Sequence, residues 1–144
     1  MDKSTVWFLY MSLTYLAAGA ILGVVMIFMP STTGAVYRAH GHVNLVGWVS
    51  MMIFGVAYHI LPRFSGRPVK YPKLIWPHFW LTNVGLVGMG TAWVMATSGS
   101  KAWEHMAGLF GLAIAVGIGL FIYNMLGTIQ MAPPPAKAPP KPPS

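Results

Sequence analysis

Cysteine is absent from the 144 residues. That excludes disulfides, thiolate zinc sites, iron–sulfur ligation and thioether attachment of a cofactor, so any redox group must hang on histidine or methionine. Acids are almost as scarce. Asp2 and Glu104 are the only two, and charged residues make up 8% of the chain. A soluble domain carries charge on roughly a quarter of its residues, so this chain lacks the polar surface that water contact requires, and its natural solvent is lipid. Two distant acids form no catalytic carboxylate pair, and the chain holds no nucleophile–base pair or phosphate loop. It is not expected to act as an autonomous enzyme.

What is present is apolar: 56% of the residues are hydrophobic. Four long runs stand out. The first, Val6 to Met29, has no charged residue, and at about 1.5 Å per residue it reaches about 36 Å, enough to cross a bilayer with tilt. It is too long for a cleaved signal segment and is expected to be retained. Pro30 and the Ser31–Gly34 stretch are read as its end. The other runs predict helices over about 39–62, 74–97 and 103–127. Residues 131–144, nearly all Pro, Ala and Lys, predict a solvated, extended tail. The fold class expected is an all-α integral membrane four-helix bundle of up-down topology.

The net charge of +7 does not point to nucleic acid, because the basic residues lie in loops and tails rather than on a folded polar face. They report topology instead. Lys3, Arg63, Arg67, Lys70, Lys73, Lys137 and Lys141 fall on the terminal side of the four crossings, against Arg38 and Lys101 on the other. The positive-inside rule then places both termini in the cytoplasm, in an inner-membrane protein. Helix contacts are expected at small residues, since lipid gives apolar surfaces no drive to associate. Gly19 and Gly23, Gly85 and Gly88, Ala107 and Gly111, and Ala113 and Gly117 have the spacing. The eleven methionines are scattered and read as packing rather than copper handling.

Five histidines are the chief chemical signal, because ionisable side chains at membrane depth are costly and usually functional. His40, His42 and His105 fall at the outer leaflet. His59 and His78 border loops at the inner leaflet, where bonds to loop carbonyls would satisfy them. His42 and His59, about 25 Å apart along one helix, cannot share a metal. In His40–Gly41–His42, positions i and i+2 point about 200° apart, so the pair cannot chelate one ion but can ligate groups on opposite sides. Gly41 leaves room for a flat macrocycle, neutral imidazole is a good axial ligand for haem iron, and Arg38 could pair with haem propionates. The histidines taken singly also fit snorkelling or capping roles, His105 as a cap on the fourth helix. Tyr10, Thr14, Tyr15, Asn44 and Asn83 could line a hydrated path.

The stretch Ala39–His40–Gly41–His42–Val43–Asn44–Leu45–Val46–Gly47–Trp48, then Phe54–Gly55 and Leu61–Pro62–Arg63–Phe64–Ser65–Gly66, resembles the tenth helix of subunit I of the haem–copper oxidase and nitric oxide reductase superfamily. Pro77–His78–Phe79–Trp80–Leu81–Thr82–Asn83–Val84–Gly85 looks like the start of that family's next helix. The likeness covers Arg38 to Gly90, roughly a third of the chain. It implies that His40 matches the ligand of the high-spin haem and His42 that of the low-spin haem, and it implies a helix running from outside to inside.

The family's subunit is built as three arcs of four helices around a pseudo-threefold axis, and this chain has the size of one arc. Neither a helix bearing the other low-spin ligand nor the family's copper-site histidine trio with its tyrosine is found. The resemblance therefore implies an electron-transferring protein with one or two haem b groups per chain or shared between chains. Its ligands would be His42 and His40, with His105 or a neighbouring chain's histidine as a further axial group. It would work as a homo-oligomer, a trimer being one form, or beside other respiratory subunits, as part of an oxidoreductase complex. A haem-based binder of nitric oxide or oxygen and a cofactor-free assembly subunit stand as alternatives.

Overall fold

The structure, a computed structural model, describes residues 2–129; the expected tail over 131–144 lies outside the described residues. It is all-helical, with four helices long and apolar enough to span a membrane: α1 (Lys3–Phe28), α2 (Pro30–Phe64), α3 (Pro72–Ala96) and α4 (Lys101–Thr128). The protein is a four-helix membrane bundle. Large apolar side chains face outward along each helix, among them Ile27, Phe28, Leu45, Leu109 and Leu126. Inside lie polar ones: Thr5, Ser12, His78, Thr82, Asn83, Asn124 and Thr128 are all buried. That inversion suits a lipid solvent, in which every polar group must find its partner within the protein.

The second helix begins earlier than its hydropathy suggests. Pro30 opens it as the first residue of a 3-10 turn, Pro30–Thr32, that runs straight into α-helix from Thr33. A proline stops a helix only in the interior; in the first turn its missing N–H costs nothing. His40 and His42 therefore sit about 15 Å or more inside α2 rather than in its opening turn. Directly after His42 the helix widens into a π-helical stretch, Val43–Ser50, and returns to α-helix over Met51–Phe64. The Ser50 hydroxyl donates to the Leu45 carbonyl at 2.9 Å, five residues back, in keeping with that wider winding. Pro62 lies inside the last turns, and the helix carries on to Phe64.

Successive helices run antiparallel, as close contacts show. A Cβ on Gly19 would strike the Asn44 amide, and one on Gly47 would lie 2.6 Å from the Tyr15 ring. On the other side, a Cβ on Gly85 would fall 2.8 Å from the Phe110 carbonyl oxygen, and one on Gly117 the same distance from the Thr82 hydroxyl. These glycines let the backbones of α1 and α2, and of α3 and α4, approach closely enough for dispersion and interhelical hydrogen bonds to hold them. The backbones of α1 and α4 make no close approach among the described residues, so the helices are arranged in chain order with α2 and α3 between them, while inward side chains such as Phe8 and Met125 share one core cluster.

Filling the close approach should loosen the hairpin of α3 and α4. Gly85→Val is expected to cost about 1–3 kcal/mol, as overpacking against backbone does. Gly108→Ala, at a position open to its surroundings, should leave stability unchanged. Thermal unfolding in mild detergent, followed by circular dichroism, measures both.

Candidate functional site

His40 and His42 are carried by the last turn of α-helix before the π-helical stretch, and they face different neighbours. His40 turns to α1, with its Nδ1 3.1 Å from the Gly19 carbonyl oxygen and its Cε1 beside Gly23. Asn44, one turn on, donates to the His40 carbonyl at 2.9 Å and sets its amide near the imidazole. The glycines at 19 and 23 are thus what give the imidazole and the Asn44 amide their space on the α1 side.

His42 turns to α3, where its ring meets the edge of Trp93 at 4.7 Å between centroids. Its Nδ1 lies 3.1 Å from the Arg38 carbonyl oxygen. A carbonyl can only accept, so Nδ1 carries the proton and Nε2 keeps its lone pair. A backbone bond of this kind fixes the tautomer and the orientation of the ring, the arrangement common behind metal-bound imidazoles. His42 is exposed on the outer face of the bundle. A Cβ built on Gly41 meets nothing within 4 Å, so the helix surface beside both histidines is open.

His105, near the start of α4, repeats the pattern. Its Nδ1 donates to the Lys101 carbonyl at 2.8 Å, and the residue is exposed. The chain does not bring His105 beside His42, because α3 packs against both carriers while the segment bearing His42 makes no approach to α4. Arg38 is exposed one turn before His42, where it contributes its carbonyl. Among the described residues no three of His, Cys, Asp or Glu converge on one point. An imidazole pair serving a large flat group remains compatible with these donors, whereas a compact ion held by several side chains does not.

His78 is where the structure departs furthest from its expected place. Read as a loop neighbour, it is wholly buried in the bundle. Pro77 falls within the first turns of α3, where a proline is tolerated, so the helix is already formed at His78. Its ring lies 5.0 Å from that of Phe8, 4.6 Å from Phe54 and 5.5 Å from Phe121. Nδ1 shares a 3.1 Å hydrogen bond with the Tyr58 hydroxyl, and Nε2 is buried without a partner. The signal lay in spacing: Phe54 and Tyr58 on α2, and His78 and Thr82 on α3, each four apart, mark two inward faces. His59 accepts a bond from the Arg63 guanidinium on its carbonyl, while its ring Nδ1 is buried and unpartnered.

The polar residues read as a hydrated path divide. Tyr15 donates to the Asn83 side-chain oxygen at 2.9 Å, and Asn83 donates to the Phe79 carbonyl at 2.7 Å, both within the bundle. Asn44 also faces inward, toward His40. Tyr10 and Thr14 lie on the outer face, where the Thr14 hydroxyl bonds the Tyr10 carbonyl of its own helix.

No family model matches the chain. Among curated proteins it is 31% identical over 109 residues to cytochrome c oxidase subunit 1 of Rhodobacter capsulatus, a stretch that is 65% of this chain and 20% of that protein. It is 34% identical over 67 residues to the Cbb3-type cytochrome c oxidase subunit CcoN1 of Stutzerimonas stutzeri, covering 45% and 14%. It is 29% identical over 115 residues to a cytochrome c oxidase subunit 1 homolog of Agrobacterium tumefaciens, covering 62% and 21%. The chain spans about a fifth or less of the length of these relatives.

Removing the Tyr58 hydroxyl should expose the cost of the buried imidazole. Tyr58→Phe leaves His78 without its one side-chain partner and is expected to lower stability by about 1 kcal/mol, the scale of buried polar pairs in membranes. The double variant Tyr58→Phe with His78→Phe should recover part of that loss. Chemical unfolding in detergent, run as a double-mutant cycle, measures the coupling.

Proposed function

We propose that this chain, a short relative of haem–copper oxidase subunit I, holds a b-type haem on His42 and serves electron transfer in a respiratory inner membrane. The observation that carries the reading is the tethered imidazole: Nδ1 of His42 is committed to the Arg38 carbonyl, so Nε2 is the ligating atom, on an exposed face beside the open backbone of Gly41. Bound there, the haem supplies one-electron transfer between ferric and ferrous iron.

The remaining roles fall to named side chains. Arg38, one turn away, pairs with a propionate. Trp93 packs its edge on the His42 ring and holds it at its angle. His105, tethered to the Lys101 carbonyl in the same way, offers a second outward Nε2. Since His42 and His105 are not neighbours within one chain, a second histidine for the group would come from another copy. His40 would be the matching residue for a second haem on the α1 side; its Nδ1 is on the Gly19 carbonyl, and the Asn44 amide stands 3.5 Å from its Nε2. Copies assemble with one another, a trimer restoring the number of arcs in the family's subunit. Both termini lie in the cytoplasm, as the charge tally supports.

A reduced-minus-oxidised spectrum of the purified protein tests the reading. A b-type spectrum is expected, lost in His42→Ala and weakened in His105→Ala; Arg38→Ala should lower haem affinity about tenfold or more. A colourless protein, or one whose spectrum survives His42→Ala, would sink the proposal. Native mass spectrometry should find haem with oligomers rather than with single chains.

A further inference from the structure

The end of the bundle that gathers Asp2, the loop after α2 and the last turn of α4 carries two cavities with one shared wall. The larger, of about 470 Å3, has Lys3, Ser4 and Arg63 around it and Trp76 and Ile75 among its apolar lining. The smaller, of about 280 Å3, is lined by Arg67, Lys70, Gly127 and Thr128. Pro68 belongs to both. Four cations thus stand around one proline at a helix end, and Asp2 is the single acid among them.

The loop is held in place rather than merely charged. Two polar residues of α4, both buried, reach across to its backbone: the Thr128 hydroxyl accepts from the Lys70 N–H at 3.1 Å, and the Asn124 side-chain oxygen accepts from the Tyr71 N–H at 3.1 Å. Asn124 also donates to the Tyr71 carbonyl at 2.9 Å. The Lys70 stem packs where Gly127 has no side chain, and its ammonium lies 5.3 Å from the Tyr71 ring centre. A buried asparagine that pins the loop, in a solvent where polar groups are costly, fixes where Lys70 stands.

We infer that the loop around Pro68 binds an anionic phospholipid, and that its best ligand carries two phosphates, one for each cavity. The position argues for lipid rather than a soluble anion. Both cavities sit where spanning helices end, and Trp7, Trp76 and Trp80 are exposed at the same end as an interfacial belt would be. Val69, Ile75 and Trp76 share the larger cavity with Lys3 and Arg63, a mixture that suits an acyl chain joined to a headgroup, and a basic pocket between helix ends is the usual recognition device for such lipids. The inference stands without any haem.

The test uses the full-length protein in detergent and in nanodiscs, with native mass spectrometry to count retained lipid. Tetraoleoyl cardiolipin, dioleoyl phosphatidylglycerol and dioleoyl phosphatidylcholine are the probes, with inorganic pyrophosphate as competitor. Retention should fall in that order of lipids. Arg63→Gln with Lys70→Gln should weaken cardiolipin binding roughly 30-fold, about fivefold for each cation. Either substitution alone should erase the preference of cardiolipin over phosphatidylglycerol. Unchanged circular dichroism establishes that the variants are folded, and Lys101→Gln, at the far end of the bundle, should bind as the parent does. Equal retention of phosphatidylcholine, binding unchanged in the double variant, or displacement by pyrophosphate at concentrations near the lipid's would each overturn the inference.

Discussion

Everything in this molecule answers to one constraint: its solvent accepts no hydrogen bonds. A polar side chain inside the bundle is costly unless another group of the same chain matches it, and a helix can approach its neighbour only where side chains are small. The two demands meet at the same places. Gly19 admits the Asn44 amide and leaves its carbonyl to His40; Gly117 admits the Thr82 hydroxyl. Small residues here therefore do more than permit contact. They create the sites at which polar partners can be brought together.

The same constraint explains why the histidines are not equivalent. His78 is enclosed by aromatic rings and matched to Tyr58, a structural pairing in the centre of the bundle. His42 and His105 each bind a carbonyl of their own helix and face outward. A donor that is satisfied on one nitrogen and open on the other is the form in which an imidazole can receive a ligand from outside the chain. Burial makes one class of histidine, and exposure with a local tether makes the other.

The number of spanning helices was legible in the sequence, because long apolar runs broken by Pro, Gly and charge leave few other solutions. The start of α2 was not, since Pro30 reads alike as a stop for one helix and as the first residue of the next; only the backbone path decides. The opposite facing of His40 and His42 followed from helical pitch. The winding just after them did not, because π-helix has no strong residue signature. His78 was hidden by its neighbour: Pro77 suggests a boundary, yet a first-turn proline leaves the next residue helical and free to point inward.

The π-helical stretch between the histidine pair and Tyr58 has a consequence for how such a chain can change. A widened turn absorbs about one surplus residue, which in a regular α-helix would advance everything beyond it by roughly 100° around the axis. The half of α2 before it, which aims His42 at Trp93, and the half after it, which aims Tyr58 at His78, are thereby phased independently. Loss of that surplus residue would return the interval to ordinary winding and leave both contacts in place. The interval Val43–Ser50 is thus a vernier, in which chain length can change in descent while both layers keep their grip.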